Sequence, residues 1–322
     1  MKVKEHSHTI AHMTNSKTSC YLCGGSEFKP LPSFLWLVAC QNCGLVFNPS
    51  PTVDSHEVAN QFYDESNLEH RWKIRSTLQR IARIRWRWLM KRVIDYPGRL
   101  LEIGCGTGEF ISLAKRLGWD VVGIELSESF RLAAKIWYDL DLRGEELSRI
   151  EFPAHFFDGV SLLHVFEHLT NPLQFLNEVG RIVKPNGWLF IVVPNLSSWT
   201  DALFGKSSPT LTKRDHFFHY TPDTLRATFN ASQFEILTIE TLEPNHHIWT
   251  SLYGYLSQWK GSEKMGVFEK SDVKNSSVYD WAKSNLPYWM GSLTAIFLFP
   301  ISLWLRKTFR GHEIFLLCRK RE

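Results

Sequence analysis

The chain has 322 residues, 44% of them apolar, and a formal net charge of +4 with histidine neutral. Its length gives room for one large domain with additions or for two domains, and its apolar content supplies a sizeable core, which excludes a chain too polar to fold. The charge is too mild to name a partner, and the opening MKVKEHSHTIAHM lacks the apolar stretch of a secretory signal. That points to the cytosol, where the six cysteines stay reduced and serve as ligands or buried thiols.

Residues 1–18 read as a flexible tail, with His6, His8 and His12 in a disordered end rather than on a metal. Residues 19–50 read as a small zinc ribbon. Cys20 and Cys23 form one C-x-x-C pair and Cys40 and Cys43 a second, with 16 residues between the pairs and Gly24 or Gly44 following each. Two such knuckles make a four-thiolate zinc site, coordinatively closed and therefore structural. The intervening GGSEFKPLPSFLWLVA is apolar rather than basic, which argues against a nucleic-acid role.

Residues 51–96 read as a linker followed by a long basic helix over Glu69–Asp95. Ile74, Leu78, Ile81, Ile84 and Trp88 recur at helical spacing. Between Arg71 and Arg92 the other faces carry nine cations and no acid. Such a helix lies on an anionic membrane, binds RNA, or forms a lid beside the site with a solvated basic face.

A catalytic domain is expected over 97–243 plus 312–322, in βα alternation. Its key stretch is LLEIGCGTGEF at Leu100–Phe110: a buried strand ending in Glu102 and Ile103, then Gly104, Gly106 and Gly108, then a helix from Glu109. The glycines let the backbone turn sharply and let a ligand approach, and the helix N-terminus offers unpaired N–H groups. A dinucleotide fingerprint needs a further small residue at position 109, which is glutamate. A second strand, Asp120–Leu126, carries Glu125 near its tip, where a carboxylate suits the two hydroxyls of a ribose. Leu140–Leu142 reads as a weak third strand, followed by Glu145 and Glu146.

Phe157–Leu169, FDGVSLLHVFEHL, reads as a buried fourth strand over Gly159–Leu163 and then a helix or turn. His164, Glu167 and His168 follow at i, i+3 and i+4, so one helical face can hold all three. A histidine there suits a general base for an acceptor hydroxyl; the alternative is that the residues brace the loop. A helix over Gln174–Val183, a turn at Lys184–Gly187 and a strand over Trp188–Val193 come next, and 196–214 reads as a loop-like cover. His216, His219 and Tyr220 precede a helix capped by Thr221 with Pro222 in its first turn; they line an acceptor pocket or serve structure. Phe234–Leu242 and Glu313–Cys318 complete the strands.

Residues 244–311 form an apolar insertion. Ser284–Leu305 carries no charge over about the length of a membrane span, but Pro287 and Pro300 interrupt it. The readings are an interfacial or re-entrant hairpin, with Arg306, Lys307 and Arg310 toward anionic head groups, a homodimer contact, or a helix packed on its own domain.

The E-x-G-x-G-x-G loop, the acid after the second strand, the FD-x-V and HVFEHL…NP wording and the VKPNG turn together resemble the class I S-adenosylmethionine-dependent methyltransferases, near the ubiquinone-pathway O-methyltransferases. CYLCGG…CQNCGLVFNPSP resembles the ribbon that precedes the catalytic domain in many of them. The resemblance implies an α/β fold: a Rossmann-like, seven-stranded, mostly parallel sheet with an antiparallel last strand, a zinc ribbon in front and a helical insertion near the C-terminus. It implies S-adenosylmethionine as cofactor, with Glu102 near the methionine portion, Gly104, Gly106 and Gly108 in the loop, Glu125 on the ribose, and Glu145 or Glu146 facing the adenine. Related enzymes carry Glu-x-x-Glu-His, a set associated with a divalent metal, where this chain has His164, Glu167 and His168. The expected reaction is methylation, first at oxygen, of a small amphiphilic, lipid-linked or saccharide-linked acceptor, at the inner membrane face. The alternatives are an RNA methyltransferase that uses the ribbon as a clamp, and an inactive methyltransferase fold that only binds.

Overall fold

A computed structural model of the chain describes residues 19–32, 34–50, 65–93, 97–204, 211, 215–242 and 304–322. The expected tail, the linker at 51–64 and all but the end of the uncharged run at 284–305 lie outside these residues.

The N-terminal unit is a hairpin of β1 (Phe28–Leu31) and β2 (Phe34–Cys40), with a two-residue strand β3 (Val46–Phe47) beside β2. The basic segment is not one long helix but two, α1 (Glu65–Lys73) and α2 (Arg75–Met90), because Ile74 leaves helical geometry at φ −98° and ψ 9°. Ala82, Trp86 and Leu89 are buried at i, i+4 and i+7 on the inward stripe of α2. Ile84, expected on that stripe, is 51% exposed, since two residues past Ala82 is about half a turn away.

The main domain then runs β4 (Arg99–Ile103), α3 (Glu109–Arg116), β5 (Asp120–Ile124), α4 (Glu128–Tyr138), β6 (Phe157–Leu163), α5 (Pro172–Ile182), β7 (Val183–Pro194), α6 (Trp199–Phe204), β8 (Phe218–His219), α7 (Pro222–Asn230), β9 (Phe234–Leu242) and β10 (Glu313–Lys320). Thr221 caps α7 by accepting the Thr224 N–H at 3.2 Å, with Pro222 in the first turn as expected.

Among the described residues the central sheet has six strands in the order β5-β4-β6-β7-β10-β9, not seven. β4, β5, β6 and β7 run parallel to one another, and β10 is antiparallel to both β7 and β9. The expected third strand at Leu140–Leu142 is reduced to one parallel bridge between Arg143 and Ile124. Asp139 ends α4 in a left-handed conformation, and between it and the turn at Leu147–Arg149 only Arg143 is bridged to β5.

Strand alternation divides the core between the two sheet faces. Trp188, Phe190, Val192, Phe315 and Leu317 pack under α2 and α3. Leu189, Ile191, Val193, Ile314 and Leu316 pack toward α5, α7 and the ribbon. Gly159 pairs with Trp188 across β6 and β7, and a Cβ there would run into the indole. The ribbon is joined to the main domain by a second sheet, β1-β2-β3-β8, in which β3 pairs with β8.

Candidate active site

A cavity of about 1490 Å³ opens at the carboxyl ends of β4, β5 and β6. Ligands bind at this edge of open α/β sheets. Leu78, Ile81 and Arg85 of α2 and Arg71 of α1 line it from the side of the basic segment.

The glycine loop enters the cavity from β4. Gly104, Gly106 and Gly108 have φ of 70°, 55° and 89°, a region that non-glycine residues rarely occupy. The space around them differs. A Cβ on Gly104 would strike the Val165 side chain, and one on Gly108 would lie 2.6 Å from Leu140 Cδ1, so protein rather than ligand occupies those two approaches. Gly106 faces Arg71, whose guanidinium would be 3.2 Å from such a Cβ. Gly104 and Gly106 line the cavity, whereas Gly108 is the N-cap of α3.

Two buried carboxylates flank the loop. Glu125 accepts the Gly106 N–H at 2.7 Å through Oε2 and the Ser127 N–H at 2.9 Å through Oε1. Burial raises its pKa, against those two backbone donors. Glu102 is 2% exposed, and its Oε2 has no hydrogen-bond partner. Burial, with the nearby Glu109, pushes its pKa well up. A buried acceptor of this kind fits a charged or strongly donating ligand group. Glu146 lines the same cavity.

At the other end, His164 and His168 line the cavity, and Glu167 lies behind them at 1% exposure. The segment is a single tight turn over Phe166–His168, not a helix, so the three residues do not share one helical face. His164 sits at φ 58°, a strained position for a non-glycine residue, with its N–H donated to Val192 O at 2.8 Å. Its Nδ1 is 3.4 Å from Glu167 Oε1, and its Nε2 is 3.0 Å from Glu313 Oε1 and 2.8 Å from Arg85 Nη2. Burial opposes its charge, but Glu167 and Glu313 outweigh that and raise its pKa. His168 Nδ1 is 2.7 Å from Asp215 O, and its ring centroid is 4.8 Å from that of His216. Glu167, His168 and His216 each bring one ligand atom to within 4.8 Å of the others, a group that does not include His164. His219 is buried with neither ring nitrogen hydrogen-bonded, and burial lowers its pKa to about 4.

The four ribbon cysteines converge. Cys20 and Cys43 sulfurs are 3.6 Å apart, Cys23 and Cys40 sulfurs 3.5 Å apart, and all four Sγ atoms lie within 4.8 Å of one another. Tetrahedral zinc with Zn–S bonds of about 2.3 Å needs sulfur separations of about 3.8 Å, so the four thiols fit a metal ion of that kind.

Three residues that sequence reasoning did not single out take part. Arg71 Nε donates to Thr107 Oγ1 at 3.0 Å and its Nη2 reaches Glu109 Oε2 at 3.3 Å. Arg85 Nη2 donates to Glu313 Oε1 at 3.0 Å. The two arginines were hidden among nine similar cations, and Glu313 read only as the first residue of an apolar strand. An acid opening such a strand was the one available signal.

A family model for a methyltransferase domain matches residues 62–239. Ubiquinone biosynthesis O-methyltransferases from Thiobacillus denitrificans and Bradyrhizobium diazoefficiens are each 30% identical to the chain, over 154 and 177 residues. Those matches cover 44% and 48% of this chain, and 64% and 68% of the two relatives, so the chain spans slightly less than two thirds of the first. A SAM dependent methyltransferase from Archaeoglobus fulgidus shares the fold at a TM-score of 0.50 and 18% identity, over 80% of this chain and 100% of that one. With more than half its length matched by the domain model and the sheet, loop and cavity in the expected order, the chain belongs to the class I S-adenosylmethionine-dependent methyltransferases.

Proposed function

We propose that the chain moves a methyl group from S-adenosylmethionine to an oxygen of a small amphiphilic, lipid-linked or saccharide-linked acceptor. The observation that carries this reading is the chemical division of one cavity, with buried carboxylates and a glycine loop at one end and imidazoles backed by carboxylates at the other. The relatives named as O-methyltransferases favour oxygen.

When bound, S-adenosylmethionine supplies a sulfonium methyl that is already a good electrophile, so the protein's work is orientation and proton removal. Glu102, with an unpartnered buried oxygen, suits the cofactor's ammonium group. Each Glu125 oxygen accepts one backbone N–H and keeps a second lone pair for a ribose hydroxyl. Arg71, over Gly106, supplies a cation for the cofactor's carboxylate.

At the acceptor end the imidazole with a nitrogen left to take the hydroxyl proton is His168, while His164, with Nδ1 facing Glu167 and Nε2 facing Glu313 and Arg85, positions that wall. His168, donating Nδ1–H to Asp215 O, holds Nε2 as an acceptor nitrogen in the same wall. The ribbon cysteines hold a structural zinc ion.

An amphiphilic acceptor is supported by the outer face of the helix that walls the cavity. Arg83, Arg87 and Lys91 are exposed there, as are Trp304 and Lys307 in the described C-terminal part. Exposed cations on α2, and an exposed indole and lysine near the C-terminus, each suit the anionic surface of the inner membrane face. Among the described residues no helix is long and apolar enough to cross a membrane.

The test is incubation of the purified chain and methyl-labelled S-adenosylmethionine with cell extract, followed by separation of lipid, aqueous and RNA fractions. Label in the lipid or small-molecule fraction, dependent on His168 and Glu125, is the expected result. Label confined to RNA, or none with the cofactor bound, overturns the reading in favour of an RNA methyltransferase or a binding protein.

A further inference from the structure

The ribbon does more than close on itself. Three residues past Cys43 the chain enters β3, and β3 is the strand on which β8 is laid. Val46 pairs with His219 and Phe47 with Phe218, and the next N–H, that of Asn48, donates to Phe217 O at 2.8 Å. Phe217 in turn donates its own N–H to Glu167 O at 2.9 Å. The segment running from Asp215 to His219 is therefore held on one side by the ribbon and on the other by the turn that carries Glu167 and His168.

The packing follows the same line. Tyr21, between the first two cysteines, sets its ring edge-on to Phe47 and Phe218 at 5.4 Å and 5.2 Å between centroids. Cys20, Cys40 and Phe47 share one apolar cluster with Phe166, Phe218 and Tyr220. β8 has only two residues, and among the described residues the one strand it pairs with is β3. A ladder that short does not hold its own register; it depends on how firmly β3 is fixed.

We propose that the four-cysteine ribbon, closed around one metal ion, is a positioning element for the acceptor end of the cavity, holding Asp215, His216 and His219 against Glu167 and His168 through β3 and Asn48. It rests on the reading that this imidazole cluster is the acceptor end. The cofactor end is tied to it less directly: Leu101, Ile103 and Ile124 share the same apolar cluster, but Glu102, the glycine loop and Glu125 hang on β4 and β5, on the far side of β6 from β7, and among the described residues no ladder joins those strands to the ribbon. Metal occupancy of the ribbon then governs acceptor handling while leaving cofactor binding in place.

The experiment compares the full chain as a zinc-loaded protein and after chelation. Amide hydrogen exchange is read over 215–219 and over 100–103, together with S-adenosylmethionine affinity by calorimetry and the imidazole nitrogen resonances in a histidine-labelled sample. Chelation is expected to speed exchange at 215–219 by about tenfold or more, with 100–103 and cofactor affinity changed less than about twofold. The resonances of His168, His216 and His219 shift, and that of His155, beside Lys320 at the amino end of β6, away from the cavity, does not. Asn48→Pro removes the N–H donated to Phe217 while leaving all four cysteines, so it should reproduce these changes with zinc still bound. Equal protection with and without zinc, loss of protection at 100–103 in parallel, failure of the chain to bind zinc, or an Asn48→Pro protein with unchanged histidine resonances overturns the proposal. These readouts need no acceptor, so a failure to find methyl transfer leaves them intact and is distinguishable from them.

Discussion

Arg71 donates from Nε to Thr107 Oγ1 at 3.0 Å, so a residue of α1 is fastened to the middle of the glycine loop that follows β4. The same guanidinium stacks over Phe130 at 5.1 Å and meets Glu109. One side chain thereby ties the covering helix, the loop and the first turn of α4 together at the cofactor end.

Arg71→Ala is expected to weaken S-adenosylmethionine binding by about tenfold, or about 1.4 kcal/mol, with little loss of fold stability because the side chain is partly exposed. Calorimetry on the full chain measures the affinity and thermal unfolding the stability. An affinity within twofold of the wild type removes Arg71 from the cofactor site.

Glu125→Gln keeps an acceptor oxygen for one of the two backbone N–H groups that the carboxylate now takes, and replaces the other with an amide that donates. Affinity for the cofactor is expected to fall by about tenfold to a hundredfold, as it does when charge-assisted bonds of about 1.5–3 kcal/mol are lost. Adenosine and deoxyadenosine analogues of the cofactor separate the cause. Wild type should discriminate between them, and the variant should not.

Glu313→Gln removes a carboxylate from His164 and so lowers the pH at which that imidazole titrates. In the folded wild type the pKa of His164 is raised, chiefly by Glu167 and Glu313 acting against burial. A raised pKa means that protonation stabilises the fold fully below the unfolded value of about 6.5, and that this contribution is lost as pH rises through the folded pKa. The difference in Tm between wild type and Glu313→Gln should therefore be largest below about pH 6.5 and shrink toward alkaline pH. A histidine NMR titration of both proteins reads the midpoint directly, and equal midpoints would detach Glu313 from His164.

Gly159→Ala should destabilise the chain by about 1–3 kcal/mol, because the new methyl group runs into the Trp188 indole. Shortening the partner as well, with Trp188→Leu, should recover part of that loss. The double-mutant cycle checks it, and strictly additive effects would mean that the two positions do not meet.

Much of this architecture can be read from the sequence where local chemistry decides it. The four cysteines, the glycine loop, Glu125 and the Thr221 cap announce themselves by residue type and spacing. So does the unbroken apolar run of Trp188–Val193, since both faces of β7 are buried. What escapes is decided by tertiary partners. Ile84 and Arg85 are neighbours in a run of similar residues, yet one faces solvent and the other reaches His164, and only the crossing of α2 over the sheet distinguishes them. Leu140–Leu142 has the composition of a strand, but Leu140 packs with Ile111 of α3 and Ala134 of α4, and only Arg143 is bridged to β5. The spacing of His164, Glu167 and His168 suggests a helical face, whereas a left-handed residue at 164 sends their side chains to different neighbours.

The placement of β10 between β7 and β9 also bears on how the molecule is made. During synthesis β9 emerges long before its ladder partner, because residues 243–312 come first. Until 313–320 are available, both flanking strands present open hydrogen-bonding edges and bare apolar surface, the kind of template on which nascent chains pair with one another. Yield in a cell should thus depend on chaperone supply during that interval, and a shortened 243–312 segment should relieve the dependence.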